Sequence, residues 1–71
     1  MQIQLNGKPH VLARAEQGGN VTLGGLLVEL ELSGRRLAIE VNGELVPRSE
    51  HEHFRLTPGD RVEIVQAIGG G

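Results

Sequence analysis

Polar and apolar residues alternate through Gln2-Ile3-Gln4-Leu5, the two-residue period of a strand with one buried face. Asn6-Gly7 follows, and both residue types tolerate positive φ, which predicts a tight hairpin. The return strand is expected over His10-Val11-Leu12-Ala13-Arg14, with Pro9 near its start, where a missing ladder donor is tolerated. Gln17-Gly18-Gly19-Asn20 reads as a loop. The period then changes. Leu23, Leu26, Leu27 and Leu30 stand at i, i+3, i+4 and i+7, one apolar stripe of a helix. Thr22 is the expected N-cap, and Ser33-Gly34 the expected stop, with Gly34 suited to a left-handed C′ position. Gly24-Gly25 conflicts with this pattern, since each glycine costs about 1 kcal/mol in a helix interior. A frayed or late helix start is therefore expected.

Alternation returns at Leu37, Ile39 and Val41, interleaved with Ala38 and Glu40, and a second turn signal, Asn42-Gly43, closes that strand. Glu44-Leu45-Val46 is a candidate short strand ended by Pro47. Arg48 to Leu56 is polar and irregular, with a helical turn expected around Ser49-Glu50-His51-Glu52. Thr57-Pro58-Gly59-Asp60 has proline and glycine in the central positions of a type II turn. Arg61 to Ile68 is the last strand, with Val62, Ile64 and Ile68 on one face, interrupted by Gln66, and Glu63, Val65 and Ala67 on the other.

The order β-β-α-β-β-β is too short for two helical layers. It predicts an α+β fold, one mixed sheet with a helix packed across one face. The last strand is the most apolar and is placed centrally, beside the first; if the two run parallel, the tail leaves from the interior of the sheet. Ile3, Leu5, Leu23, Leu26, Leu27, Leu30, Ile39, Val62 and Ile64 form the expected core. Residues 1–67 are expected to be the folded domain and residues 68–71 a flexible tail.

Composition narrows the chemistry. With 71 residues the chain makes one domain, near the lower limit for an unstapled core. It has no cysteine, hence no disulfide, thiolate metal site or nucleophilic thiol. Net charge is only −2, and Phe54 is the single aromatic residue, which argues against nucleic-acid binding. No apolar run is long enough to cross a bilayer and no signal peptide precedes the first strand, so a cytoplasmic location is expected. His51-Glu52-His53 suggests a metal site only superficially. Histidines at i and i+2 share a side only on an extended chain, and His10 would have to supply a third ligand, so a solvated loop is the expected reading. Arg35-Arg36 either complements the negative end of the helix dipole or steers an acidic partner. No acid, base or nucleophile constellation is present, so the chain is not expected to be an enzyme or to bind a cofactor.

The ending Ile68-Gly69-Gly70-Gly71 offers no side chains to pack and costs entropy to order. Its use is as a slender arm that carries a terminal carboxylate into a narrow channel, reaching at most about 13 Å when extended. Gly71 is then the reactive residue, and Ile68, Gly69 and Gly70 line the partner's channel. Val65 and Ala67, on the face opposite the expected helix, are a candidate docking surface beside the arm.

The opening Met1-Gln2-Ile3-Gln4-Leu5-Asn6-Gly7, the segment Ala38 to Arg48 (AIEVNGELVPR), the turn Pro58-Gly59-Asp60-Arg61-Val62 and the ending Ala67 to Gly71 together resemble the ThiS family of bacterial sulfur carriers. The resemblance covers nearly the whole chain. It implies the ubiquitin-like β-grasp fold, in agreement with the strand order. It also implies that the Gly71 carboxylate is adenylated by a ubiquitin-activating-like adenylyltransferase using ATP with Mg. Sulfur from a persulfide donor then makes a thiocarboxylate, which thiazole synthase consumes in building the thiazole of thiamin. The glycines around the helix start depart from the family's usual pattern. The small subunit of molybdopterin synthase shares the Gly-Gly end and is the alternative carrier. A ubiquitin-like modifier, or an interaction module that never uses its tail, is the alternative outside that class.

Overall fold

The computed structural model describes residues 1–12 and 21–66. Strands β1 (Gln2–Leu5) and β2 (Lys8–Val11) form a hairpin, followed by helix α1 (Leu23–Glu29). Strands β3 (Leu37–Val41) and β4 (Glu44–Leu45), a 3-10 turn (Arg48–Glu50) and strand β5 (Arg61–Gln66) complete the order. The five strands lie in the order β2-β1-β5-β3-β4. β5 is central, as its apolar character predicts, and it runs parallel to β1 and antiparallel to β3. This is the α+β, β-grasp arrangement expected from the sequence.

Both Asn-Gly turns form through positive φ at each residue: 50° and 80° at Asn6 and Gly7, 54° and 87° at Asn42 and Gly43. That is the turn whose twist matches the flanking strands. Thr57 to Asp60 forms the expected turn, with Gly59 at φ 86° and Asp60 N–H donating to the Thr57 carbonyl at 3.1 Å.

The helix begins directly after its Thr22 cap, so the late start expected from Gly24-Gly25 does not occur. The reason is that each orphan amide of the first turn has a partner. Leu23 N–H donates to Phe54 O at 2.8 Å and Gly24 N–H to His51 O at 2.7 Å. Gly25 N–H donates to Thr22 Oγ1 at 3.1 Å. This docking leaves little room for a side chain at Gly24. A Cβ there would lie 3.2 Å from Glu52 Cα and 3.4 Å from His51 O, whereas one on Gly25 would meet only Thr22 Oγ1 at 3.5 Å.

The helix also stops earlier than expected. Glu31, not Gly34, takes the left-handed C′ position, at φ 59°. Glu31 N–H bonds to Val28 O at 3.0 Å and Leu32 N–H to Leu27 O at 2.8 Å, the paired bonds of a Schellman ending. Gly34 has φ 83° but belongs to the turn that follows. Arg35 and Arg36 accordingly lie beyond the last helical turn, which itself carries no basic residue.

The leucine stripe packs on the inner face of the sheet. Ile3, Leu23, Leu26, Leu27, Ile39 and Val62 are buried as expected, and Leu5, Leu30 and Ile64 are partly buried against them. Leu12, Val21, Val41, Val46 and Leu56 complete the core. The segment from Arg48 to Leu56 is more than solvated loop. Its helical turn begins at Arg48, Leu56 reaches the core, and His51 is only 7% exposed. The His51 ring turns back and Nε2 donates to the Val46 carbonyl at 3.0 Å. A polar stretch thus becomes the shelf on which the helix N-terminus rests.

Candidate functional site: the base of the tail and the open sheet face

The expected tail and its reactive end, Ile68 to Gly71, and Ala67 of the expected docking surface, lie outside the described residues, as does the boundary between residues 67 and 68. What the structure defines is the base from which they extend. β5 is paired with β3 through Gln66, which stands opposite Leu37. On its other side β5 runs beside β1 only at Arg61 and Val62, opposite Gln4 and Leu5. β1 turns away at Asn6. There the Asn6 side chain takes the place of backbone, its Oδ1 accepting from Ile64 N–H at 2.8 Å. Alternation along a strand then points the N–H and carbonyl of Gln66 toward the side that β1 has left. Leu5, Leu30, Leu32, Leu37 and Ile64 line a shallow apolar groove beside Gln66.

A second fixture holds the opposite end of β5. Asp60 Oδ2 accepts from Thr57 N–H at 2.8 Å. Its Oδ1 accepts from Thr57 Oγ1 at 2.9 Å and from Asn42 Nδ2 at 3.0 Å. Asn42 Oδ1 in turn accepts from Arg61 N–H at 2.9 Å. Burial alone raises the Asp60 carboxyl. The bonds from the Thr57 amide, the Asn42 amide and the Thr57 hydroxyl outweigh it and hold the group below its ordinary value. The turn before β5, the Asn42-Gly43 hairpin and the start of β5 are thereby locked together.

Val65 lies on the open face of the sheet, as expected, and is 61% exposed. Strand register puts it opposite Ala38. Leu45, 66% exposed, joins the same face opposite Glu40, and Val11, 58% exposed, joins it opposite Gln2. Among the described residues the exposed apolar groups of this face therefore extend beyond Val65. Leu45 and Val11 could have been assigned to it only once register was known, because each sits in a strand of four residues or fewer.

The histidines are dispersed. His10 Nε2 bonds Glu29 Oε2 at 3.0 Å, tying β2 to the helix, and His51 is committed to Val46. Among the described residues no group of three or more His, Cys, Asp or Glu could hold a metal ion. No described helix is long and apolar enough to cross a membrane.

Comparison with known proteins follows the same lines. Curated thiazole synthases are among the relatives, and the chain spans 20% of their length; that of Magnetococcus marinus is 41% identical over 71 residues, 100% of this chain. The sulfur carrier protein ThiS of Bacillus subtilis is 32% identical over 69 residues, 97% of this chain and 98% of that protein. The crystal structure of the thiamine biosynthesis protein ThiS from Geobacter metallireducens superposes with a TM-score of 0.82 at 30% identity, covering 100% of both chains. The ThiS family model matches residues 3–71, from the first strand through the three glycines. A β-grasp sheet with a central, parallel last strand, matched over its whole length by family members of the same size, establishes that this chain belongs to the ThiS family.

Proposed function

We propose that this protein carries sulfur for the thiazole moiety of thiamin, as a thiocarboxylate on Gly71. A carboxylate is a poor acylating agent at neutral pH, so activation precedes transfer. The Gly71 carboxylate attacks the α-phosphorus of ATP, held with Mg by a ubiquitin-activating-like adenylyltransferase, and pyrophosphate leaves. The terminal sulfur of a persulfide attacks the acyl carbon and AMP leaves. A thiol then reduces the resulting acyl disulfide to the thiocarboxylate, the sulfur donor to thiazole synthase. The chain itself is carrier and substrate.

The observation that carries this reading is the family match, which extends through Gly69-Gly70-Gly71. The likeness to thiazole synthases supports the identity of the acceptor. The fold is consistent with the role. β5, which leads to the tail, is the central strand, and its start is fixed by the Asp60 and Asn42 bonds.

The test is reconstituted thiazole formation with three chains: wild type, one lacking Gly71, and Gly70→Ala. Both variants should retain the native melting transition, because the core formed by the described residues is left unchanged. Both should lose sulfur transfer, the first for want of the acceptor position and the second because a methyl obstructs a channel fitted to backbone. Full thiazole formation by the chain lacking Gly71 would contradict the reading.

A further inference from the structure

The two Asn-Gly turns share a sequence and a backbone shape, yet their side-chain amides sit in different electrostatic surroundings. φ is 50° at Asn6 and 54° at Asn42, and 80° at Gly7 and 87° at Gly43. All four residues are exposed, and nothing lies within 4 Å of where a Cβ on either glycine would stand. Each asparagine is tied to the start and middle of β5 in the same two ways. Asn6 N–H donates to Val62 O at 2.9 Å and Asn42 N–H to Arg61 O at 2.7 Å. Asn6 Oδ1 accepts from Ile64 N–H at 2.8 Å and Asn42 Oδ1 from Arg61 N–H at 2.9 Å. The difference lies at the amide nitrogen. Asn42 Nδ2 donates to the Asp60 carboxylate at 3.0 Å, whereas Asn6 Nδ2 has no hydrogen-bond partner among the described residues.

We propose that Asn6 is a site of spontaneous deamidation in the folded protein, and that Asp60 protects Asn42 from the same reaction. The Gly7 nitrogen loses its proton to hydroxide and attacks Asn6 Cγ, unobstructed because glycine has no Cβ. A bond forms between that nitrogen and Cγ, the bond from Cγ to Nδ2 breaks, and Nδ2 leaves as ammonia with a proton from water. Water then opens the succinimide ring at either carbonyl. The product is aspartate or isoaspartate at position 6, a net exchange of NH2 for OH.

Charge decides which turn reacts. Negative charge develops on Oδ1 as the ring closes. At Asn6 the Ile64 N–H already bonded to Oδ1 stabilises that charge, as an oxyanion-hole donor does, and Nδ2 is open to the water that protonates it. At Asn42 a carboxylate stands at hydrogen-bond distance from the leaving nitrogen, so the same charge develops against a like charge. Departure of Nδ2 there also breaks a charge-assisted bond, and the product carboxylate would face Asp60. Isoaspartate at position 6 lengthens the backbone by one methylene and displaces the acceptor of Ile64 N–H. That bond holds β5 two residues before Gln66, so its loss should weaken the fold. None of this depends on the sulfur-carrier reading.

The test is timed incubation of the intact chain in mildly alkaline buffer, followed by peptide mapping with mass spectrometry. Isoaspartate is detected by methylation with a protein isoaspartate methyltransferase. In the folded chain Asn6 should react about tenfold faster than Asn42, and the aged fraction should melt below the fresh protein. In concentrated urea, where the contact with Asp60 is lost, the two sites should react at comparable rates. Asp60→Ser, held below its own melting transition, should bring the Asn42 rate up toward that of Asn6. Equal rates in the folded wild type, a faster Asn42, or an Asn6 that reacts only in urea would overturn the proposal. An unchanged Asn42 rate in folded Asp60→Ser would overturn the protective role of Asp60.

Discussion

Gly24 and Gly25 are adjacent in sequence and both lie in the first turn of the helix, yet they should respond to alanine in opposite ways. At Gly25 a new Cβ has Thr22 Oγ1 as its nearest neighbour, at 3.5 Å, an ordinary contact, and the capping bond from Gly25 N–H is untouched. The substitution then removes only the entropy that glycine loses on folding. That should stabilise by about 0.5–1 kcal/mol, or about 3–6 °C in Tm for a domain of this size. At Gly24 the same gain meets backbone, Glu52 Cα at 3.2 Å and His51 O at 3.4 Å. That backbone cannot withdraw freely, because the His51 carbonyl accepts from Gly24 N–H at 2.7 Å and the buried His51 ring holds Val46 O. Overpacking of this kind costs about 1–3 kcal/mol, so Gly24→Ala should be neutral or destabilising, and clearly below Gly25→Ala. Thermal melts followed by circular dichroism, with urea titrations to check that the m-value is unchanged, give the comparison. Equal stabilisation by the two substitutions, or destabilisation by Gly25→Ala, would refute the assignment of Gly24 as the contact that needs a bare backbone.

Two further substitutions test local physics elsewhere. Glu31→Gly should raise stability by about 0.5–1 kcal/mol, because an exposed non-glycine residue at φ 59° pays for a left-handed conformation that glycine adopts freely; an unchanged or lower midpoint would count against it. Asp60→Asn should cost about 1–2 kcal/mol at pH 7, since one acceptor of three hydrogen bonds becomes a donor. The Asp60 carboxyl is lowered in the folded state, so its contribution is full above the unfolded value of about 3.9 and is lost as pH falls through the folded value. The stability gap between wild type and Asp60→Asn should therefore narrow below about pH 4, and a gap that stays constant to pH 2 would refute that account.

The features legible in the sequence were those whose chemistry is local. Asn6-Gly7, Asn42-Gly43 and Thr57 to Asp60 specify their turns by φ preference, and the leucine spacing specifies the helix face. Centrality of β5 followed from its apolar content. The features that could not be read depend on what meets what in space. Gly34 looked like the helix stop because glycine usually takes that position, yet packing ended the helix at Glu29 and left Glu31 to adopt the strained angle. His51 looked solvated among Glu50, Glu52 and His53, and is buried because the helix start docks on its carbonyl. Val46 and Leu56 lie in short polar surroundings that show no period. On the candidate site, Val65 was placed on the open face by alternation alone, whereas Leu45 and Val11 emerged only with strand register.

The central claim is that Gly71 carries the sulfur, and intact mass spectrometry tests it most directly. The protein is incubated with ATP, Mg, a thiamin-pathway adenylyltransferase, a persulfide donor and a thiol, and its mass is compared with that of the untreated chain. The account predicts a gain equal to the replacement of one oxygen by sulfur, localised by fragmentation to Gly71 and absent when ATP is omitted. An unchanged mass, under conditions in which the same enzyme charges another carrier, would contradict it.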